Sequence, residues 1–155
     1  MSIRNLTLGG LSFAFFMAMA PAWAGVDQDE ASITQLMKQQ FDKPEAPLTV
    51  APVVVRADHA IASWAQGERG GRALLRRYHG QWEISVCAGD GLTSPSVLQS
   101  AGMTSPQADA LARALVRAEA GLPAAHRAKF STFDGMLRLG AGGQHPPAHG
   151  ASHAH

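Results

Sequence analysis

Residues 70–90, GGRALLRRYHGQWEISVCAGD, read as two strands joined by a tight turn. His79-Gly80 sits between them, and a two-residue hairpin turn needs the positive φ that glycine tolerates best. Histidine is itself enriched at positive φ among non-glycine residues. Past the turn, Trp82, Ile84 and Val86 alternate with Gln81, Glu83, Ser85 and Cys87. A period of two places the first set on an apolar face and the second on a mostly polar one. A chain committed to this hairpin must find further strands to pair with it and a layer to cover its apolar face.

Both requirements are met by what precedes it. LTVAPVVVR (residues 48–56) is rich in β-branched residues, and Pro52 assigns it to a sheet edge or a bulge. Ala57-Asp58 is a turn, and HAIASWA (59–65) returns with Trp64 on the side of Ala60 and Ala62. Short connections demand antiparallel pairing, so the expected sheet is a four-stranded meander. Ahead of it, residues 26–41 carry Ile33, Leu36, Met37 and Phe41 at helical spacing, with Asp27 and Glu30 as a capping-box-like start and Pro44 as a stop. Beyond it, residues 95–100 form a short helical turn. Ser105-Pro106 opens a longer helix that Gly121 closes, and 123–130 is a shorter one. Phe130, Phe133, Met136, Leu137 and Leu139 are expected to clasp the sheet. The fold class is α+β: an N-terminal helix, four antiparallel strands and C-terminal helices in one domain over residues 25–139.

The two ends of the chain differ from this middle. Arg4, the apolar run to Ala20 and Ala22-Trp23-Ala24 have the form of a secretory signal peptide over residues 1–24, with cleavage expected after Ala24. The expected location is therefore the periplasm, with no membrane span left after cleavage. Without Arg4 the basic and acidic residues balance at 12 each, which disfavours nucleic acid as a partner. Arg69, Arg72, Arg76 and Arg77 divide between strand faces, Arg72 and Arg76 on one and Arg77 on the other, and read as solvated strand-edge charges. From Gly140 to His155 no large apolar residue remains, and four of the seven histidines fall there. That composition cannot build a core, so residues 140–155 are expected to be disordered.

Few residues suggest chemistry. H-E-x-x-H, C-x-x-C, G-x-S-x-G and a phosphate-binding glycine loop are all absent from the sequence. A nucleophilic pair of Cys87 with His59 or His79 has no spacing to support it. His145, His149 and His153 recur every fourth residue and His155 follows. Pro146, Pro147 and Gly150 oppose a helix there, so the expectation is a flexible chelator whose imidazoles suit copper, zinc or nickel. A solubilising tail is the bland alternative. Cys87, the only cysteine, cannot form an internal disulfide. It is a buried space-filler, a partner for another chain, or a soft metal ligand. Free cysteine is among the most buried residue types, which favours the first. His59, His79 and His126 read as structural.

The run FDKPEAPLTVAPVVVRADHAIASWAQGERGGRALLRRYHGQWEISVCAGDGL, followed by an AGM turn, helices ending in FSTFDG and a His-rich end, resembles the small bacterial copper uptake system-associated proteins. The resemblance runs from about Ile33 to the C terminus. It implies a periplasmic role in copper handling beside outer-membrane copper-uptake components; the leading expectation is a non-enzymatic accessory that binds copper as Cu(II) or Cu(I), with zinc as a possible substitute, partnered by an outer-membrane copper uptake receptor or another periplasmic copper protein. His145, His149, His153, His155 and Cys87 are the metal-ligand candidates. A protein-binding or inhibitor module with an incidental tail is the alternative. The helix-then-meander order also looks like the cone-shaped folds of the cystatin and nuclear transport factor 2 type, an analogy of fold alone.

Overall fold

The structure, a computed structural model, describes residues 23–139. Helix α1 (Trp23–Phe41) leads into β1 (Leu48–Arg56), β2 (His59–Gln66), β3 (Arg69–Tyr78) and β4 (Gln81–Ala88). A 3-10 turn over Asp90–Thr93 follows, then α2 (Pro95–Ser100), α3 (Ser105–Ala120), α4 (Ala124–Phe130) and β5 (Met136–Arg138). The sheet has five strands in the order β1-β2-β3-β4-β5, all antiparallel. The fold is thus the α+β arrangement expected, with one strand more. The expected apolar clasp over residues 130–139 is in part a strand, Met136–Arg138 pairing with Val86–Ala88. Three residues carry too little periodicity to announce themselves. Helix α1 begins before Asp27, so Asp27 and Glu30 lie within it rather than capping it, and the expected cleavage point after Ala24 falls in its first turn.

The hairpin turn has the conformation expected, with φ of 47° at His79 and 77° at Gly80. The faces do not follow the expected pattern. Ile84 pairs with Leu75 and Val86 with Leu74, so Ser85 is an extra residue in β4. This bulge switches the alternation. Trp82, Ile84 and Cys87 belong to the apolar cluster beneath α1, with Ile33, Met37, Ala60, Ala62, Ala73 and Leu75. Val86 and Ala88 belong to the other, with Val54, Ile61, Leu74, Leu111 and Leu115. Cys87 therefore sits on an apolar face, and Val86 does not share a face with Trp82. A second bulge sets Ala51 and Pro52 against Ser63, in an edge strand that is bulged as well.

Both faces of the sheet are covered. Helix α1 packs chiefly over β1 on one side, and α2 with α3 cover the other. Ile33 and Met37 project from α1 and are almost fully buried. On α3 the buried residues are Ala108, Leu111, Ala112, Ala114, Leu115 and Glu119, one stripe at helical spacing. Its start is Thr104 rather than Ser105: the Gln107 side chain accepts from the Thr104 N–H at 3.0 Å, with Pro106 in the first turn. From α4 the chain crosses close to the strands. A Cβ on Gly71 would stand 2.9 Å from the Phe133 Cβ, and one on Gly70 would stand 2.9 Å from the Lys129 carbonyl oxygen, so both positions require glycine. No helix among the described residues is long and apolar enough to cross a membrane.

Candidate functional site

Because α1 lies chiefly over β1, it meets the β3–β4 hairpin mainly through Asp29. The space between them is a groove of about 540 Å³. Gln28, Ser32, Gln35 and Gln39 line it from α1, and Gln81 and Trp82 from the hairpin. At its floor Asp29 holds two side chains. One carboxylate oxygen pairs with Nη2 of Arg77, and the other accepts from Trp82 Nε1 at 3.1 Å. The Arg77 guanidinium lies over the indole, 4.5 Å from the ring centroid. Among the described residues Arg77 Nε has no hydrogen-bond partner, and a carboxylate oxygen of Asp58 stands 4.0 Å from it. Arginine, carboxylate and indole thus fix one another, since the guanidinium both pairs and stacks.

The second polar cluster is buried at Arg72, Glu119 and Ser63 and meets solvent at Asp90. Arg72, 4 % exposed, reaches Glu119, 6 % exposed, through Nε–Oε1 at 2.8 Å and Nη2–Oε2 at 2.7 Å. Ser63 donates to Glu119 Oε1 at 2.7 Å, and Arg72 Nη1 reaches Asp90 at 3.2 Å. The Phe130 ring lies 5.4 Å beneath the guanidinium carbon. Burial acts to lower the Arg72 pKa, but the hydrogen bonds and charges of Glu119 and Asp90 outweigh it and the net direction is upward. The network ties β2, β3, α3, α4 and the 3-10 turn together. It overturns the reading of Arg72 as a solvated edge charge: a lone glutamate in an apolar α3 stripe was the available sign of a buried partner. Arg76 is exposed as expected, and Arg77 lies on the opposite face.

Of the sequence-derived ligand candidates, Cys87 alone lies among the described residues. His145, His149, His153 and His155 lie outside the described residues. Cys87 is 6 % exposed within the α1-side cluster, and burial pushes its thiol up to about 11. His59 pairs with Arg76 across the sheet and Cys87 with Ala73, so the two fall at different levels and on opposite faces. Burial lowers the His59 pKa against an opposing pull from Asp58, with Arg76 adding a lesser push downward; its Nδ1 is buried without a partner among the described residues. His79 is exposed at the hairpin tip, its ring 4.1 Å from that of Tyr78. His126 packs edge-on against Phe130. Among the described residues no three His, Cys, Asp or Glu side chains are grouped to hold a metal ion.

Sequence reasoning missed the groove, and only the run of glutamines at 28, 35, 39 and 40 hinted that α1 has an uncharged flank. No protein-family model, curated protein or solved structure matches the chain.

Proposed function

We propose that this protein is an exported, non-enzymatic copper-handling accessory of the periplasm. It captures copper through His145, His149, His153 and His155 and acts with a copper uptake system, partnered by an outer-membrane receptor or another periplasmic copper protein. The observation that carries this reading is the concentration of four of the seven histidines in the last eleven residues. The described chain ends just past β5, where the Leu139 N–H donates to the Ser85 carbonyl of β4 at 2.9 Å. The analogy to cystatin-like and nuclear transport factor 2-like cones belongs to the same proposal.

The ligand chemistry sets the order of metals. A nitrogen-donor site that imposes no geometry follows intrinsic affinity, and copper stands above zinc. Cys87 is the alternative ligand for Cu(I), but a thiol held neutral by burial is a poor one, because metal binding needs the thiolate. The tail imidazoles must be neutral to bind, with a reference pKa of about 6.5. Affinity therefore falls as pH drops toward about 5, where protons compete for the same nitrogens. Isothermal titration of Cu(II) into the mature chain, and into the same chain with all four tail histidines replaced by alanine, tests this at two pH values. Copper binding that survives the replacement unchanged overturns the proposal. A second reading, a protein-binding or inhibitor module with an incidental tail, draws support from β5. That three-residue edge strand exposes Met136 at 41 % and Leu137 at 39 %, which suits strand addition by a partner.

A further inference from the structure

We propose that the groove between α1 and the β3–β4 hairpin binds a neutral oligosaccharide, gripped by the carboxamides of Gln28, Gln35, Gln39 and Gln81 beside Trp82. The proposal is independent of the metal reading and rests on four properties of the groove.

The first is size. A volume of about 540 Å³ lies within the range of sites that hold small ligands, about 300–1,000 Å³. The lining runs along α1 from Gly25 to Gln39, which the helical rise converts to about 21 Å. An elongated, open groove suits a chain of linked units better than one compact molecule.

The second is charge. Asp29 and Arg77 are the only charged residues in the lining, and they neutralise each other by direct pairing. No unpaired charged side chain of the described lining faces a phosphate, carboxylate or ammonium ligand; the α-amino group that cleavage after Ala24 would create at Gly25 stands at one end of the groove. The charged residues Asp27, Glu30 and Lys38 of the same helix do not line the groove.

The third is the hydrogen-bonding character. Each carboxamide offers two donors and one acceptor oxygen, and the Ser32 hydroxyl both donates and accepts. Sugar hydroxyls have the same dual character, so one hydroxyl can accept from one glutamine while donating to the next. In contrast, an extended peptide brings apolar side chains that need apolar subsites, and the lining offers only Leu36 and Trp82 for them.

The fourth is preorganisation. Asp29 holds the Trp82 indole by its N–H and the stacked Arg77 guanidinium stiffens it. The one aromatic side chain among the described lining residues is therefore fixed before a ligand arrives, which lowers the ordering cost of binding.

The test is an NMR titration of the ¹⁵N-labelled mature chain, following the Trp82 indole N–H and the glutamine side-chain amides. Chitotetraose and maltotetraose are added separately. A heparin tetrasaccharide and tetraalanine serve as the charged and peptide rivals. The expected result is a saturable shift of these signals with a neutral oligosaccharide, and whichever of the two binds identifies the sugar class. The double variant Gln35→Ala/Gln39→Ala should weaken that binding by about tenfold or more. Both positions are exposed on α1 and alanine is the best helix former, so the fold is retained. Three results overturn the proposal: no saturable shift with either neutral sugar at millimolar concentration, tighter binding of the heparin fragment or the peptide, or binding that the double variant leaves unchanged.

Discussion

Arg72 and Arg77 lie on one strand and point to opposite faces of the sheet, and each is held by a carboxylate on the helix that covers its face. Their surroundings differ. Arg72 and Glu119 have side chains 5 % and 7 % exposed, closed in by α3 and the Phe130 ring. Arg77 and Asp29 are 32 % and 22 % exposed at the floor of an open groove. Identical chemistry therefore serves two ends. On the α3 side the pair is a buried tie between elements distant in sequence, where an unpaired charge would be intolerable. On the α1 side the pair is partly solvated and contributes little to stability. What it does there is hold an indole in place.

The largest expected effect comes from breaking the buried tie. Glu119→Ala leaves the Arg72 guanidinium buried with only Asp90 and the Phe130 carbonyl nearby, and strips Ser63 of its acceptor. The expected loss is about 3–5 kcal/mol of unfolding free energy, read from urea denaturation. Replacing the whole pair, Arg72→Met with Glu119→Leu, should recover most of that loss, because a well-packed apolar pair avoids the desolvation cost. If the single substitution costs no more than a surface ion pair, the contrast between the two arginines collapses.

The next effect sharpens the contrast between the two clusters, because only the α1 side contains a buried thiol. Burial raises the Cys87 pKa from an ordinary value near 9 to about 11. Below pH 9 the thiol is neutral whether the chain is folded or not, and the contribution is complete. Between about 9 and 11 the unfolded chain loses the proton while the folded chain keeps it, so stability falls with rising pH. The expected fall is on the order of 2–3 kcal/mol across that interval. Cys87→Ala should remove this alkaline step while leaving the rest of the pH profile unchanged. Denaturation midpoints measured at pH values across the interval check it; an identical slope in the two proteins would place the thiol in contact with water.

The sequence made the first four strands, their order and the hairpin turn legible because each rests on a local signal. The run LTVAPVVVR, the Ala57-Asp58 turn and His79-Gly80 each act over a few residues, and Pro52 pointed correctly to an edge and a bulge. The assignment of faces in β4 failed because one extra residue, Ser85, reverses every later side chain. Nothing about a serine between Ile84 and Val86 announces that insertion; its hydroxyl donates to the Leu74 carbonyl only once the strands are paired. Trp82 is half-buried rather than core for a related reason: the helix that should cover it sits over β1. Burial of Arg72 depends on Glu119, distant in sequence, and pairing at that separation leaves no local pattern. The groove was illegible because it is a space between two elements whose placement the sequence does not state.

The smallest expected effect falls on the exposed pair and separates its two roles. Asp29→Asn removes the charge facing Arg77 but keeps an oxygen able to accept from Trp82 Nε1. Since both side chains are partly solvated, the loss should be only about 0.5–1 kcal/mol at low ionic strength. It should shrink further near 1 M salt, where the screening length falls to about 3 Å. The cost of Glu119→Ala should stay nearly constant over the same salt range, because buried charges are screened much less. Parallel urea titrations of the parent and the two variants at low and high salt make the comparison. If Asp29→Asn proves as costly and as salt-insensitive as Glu119→Ala, the α1-side pair is a structural tie like the other, and the groove floor would be part of the core rather than a surface prepared for a ligand.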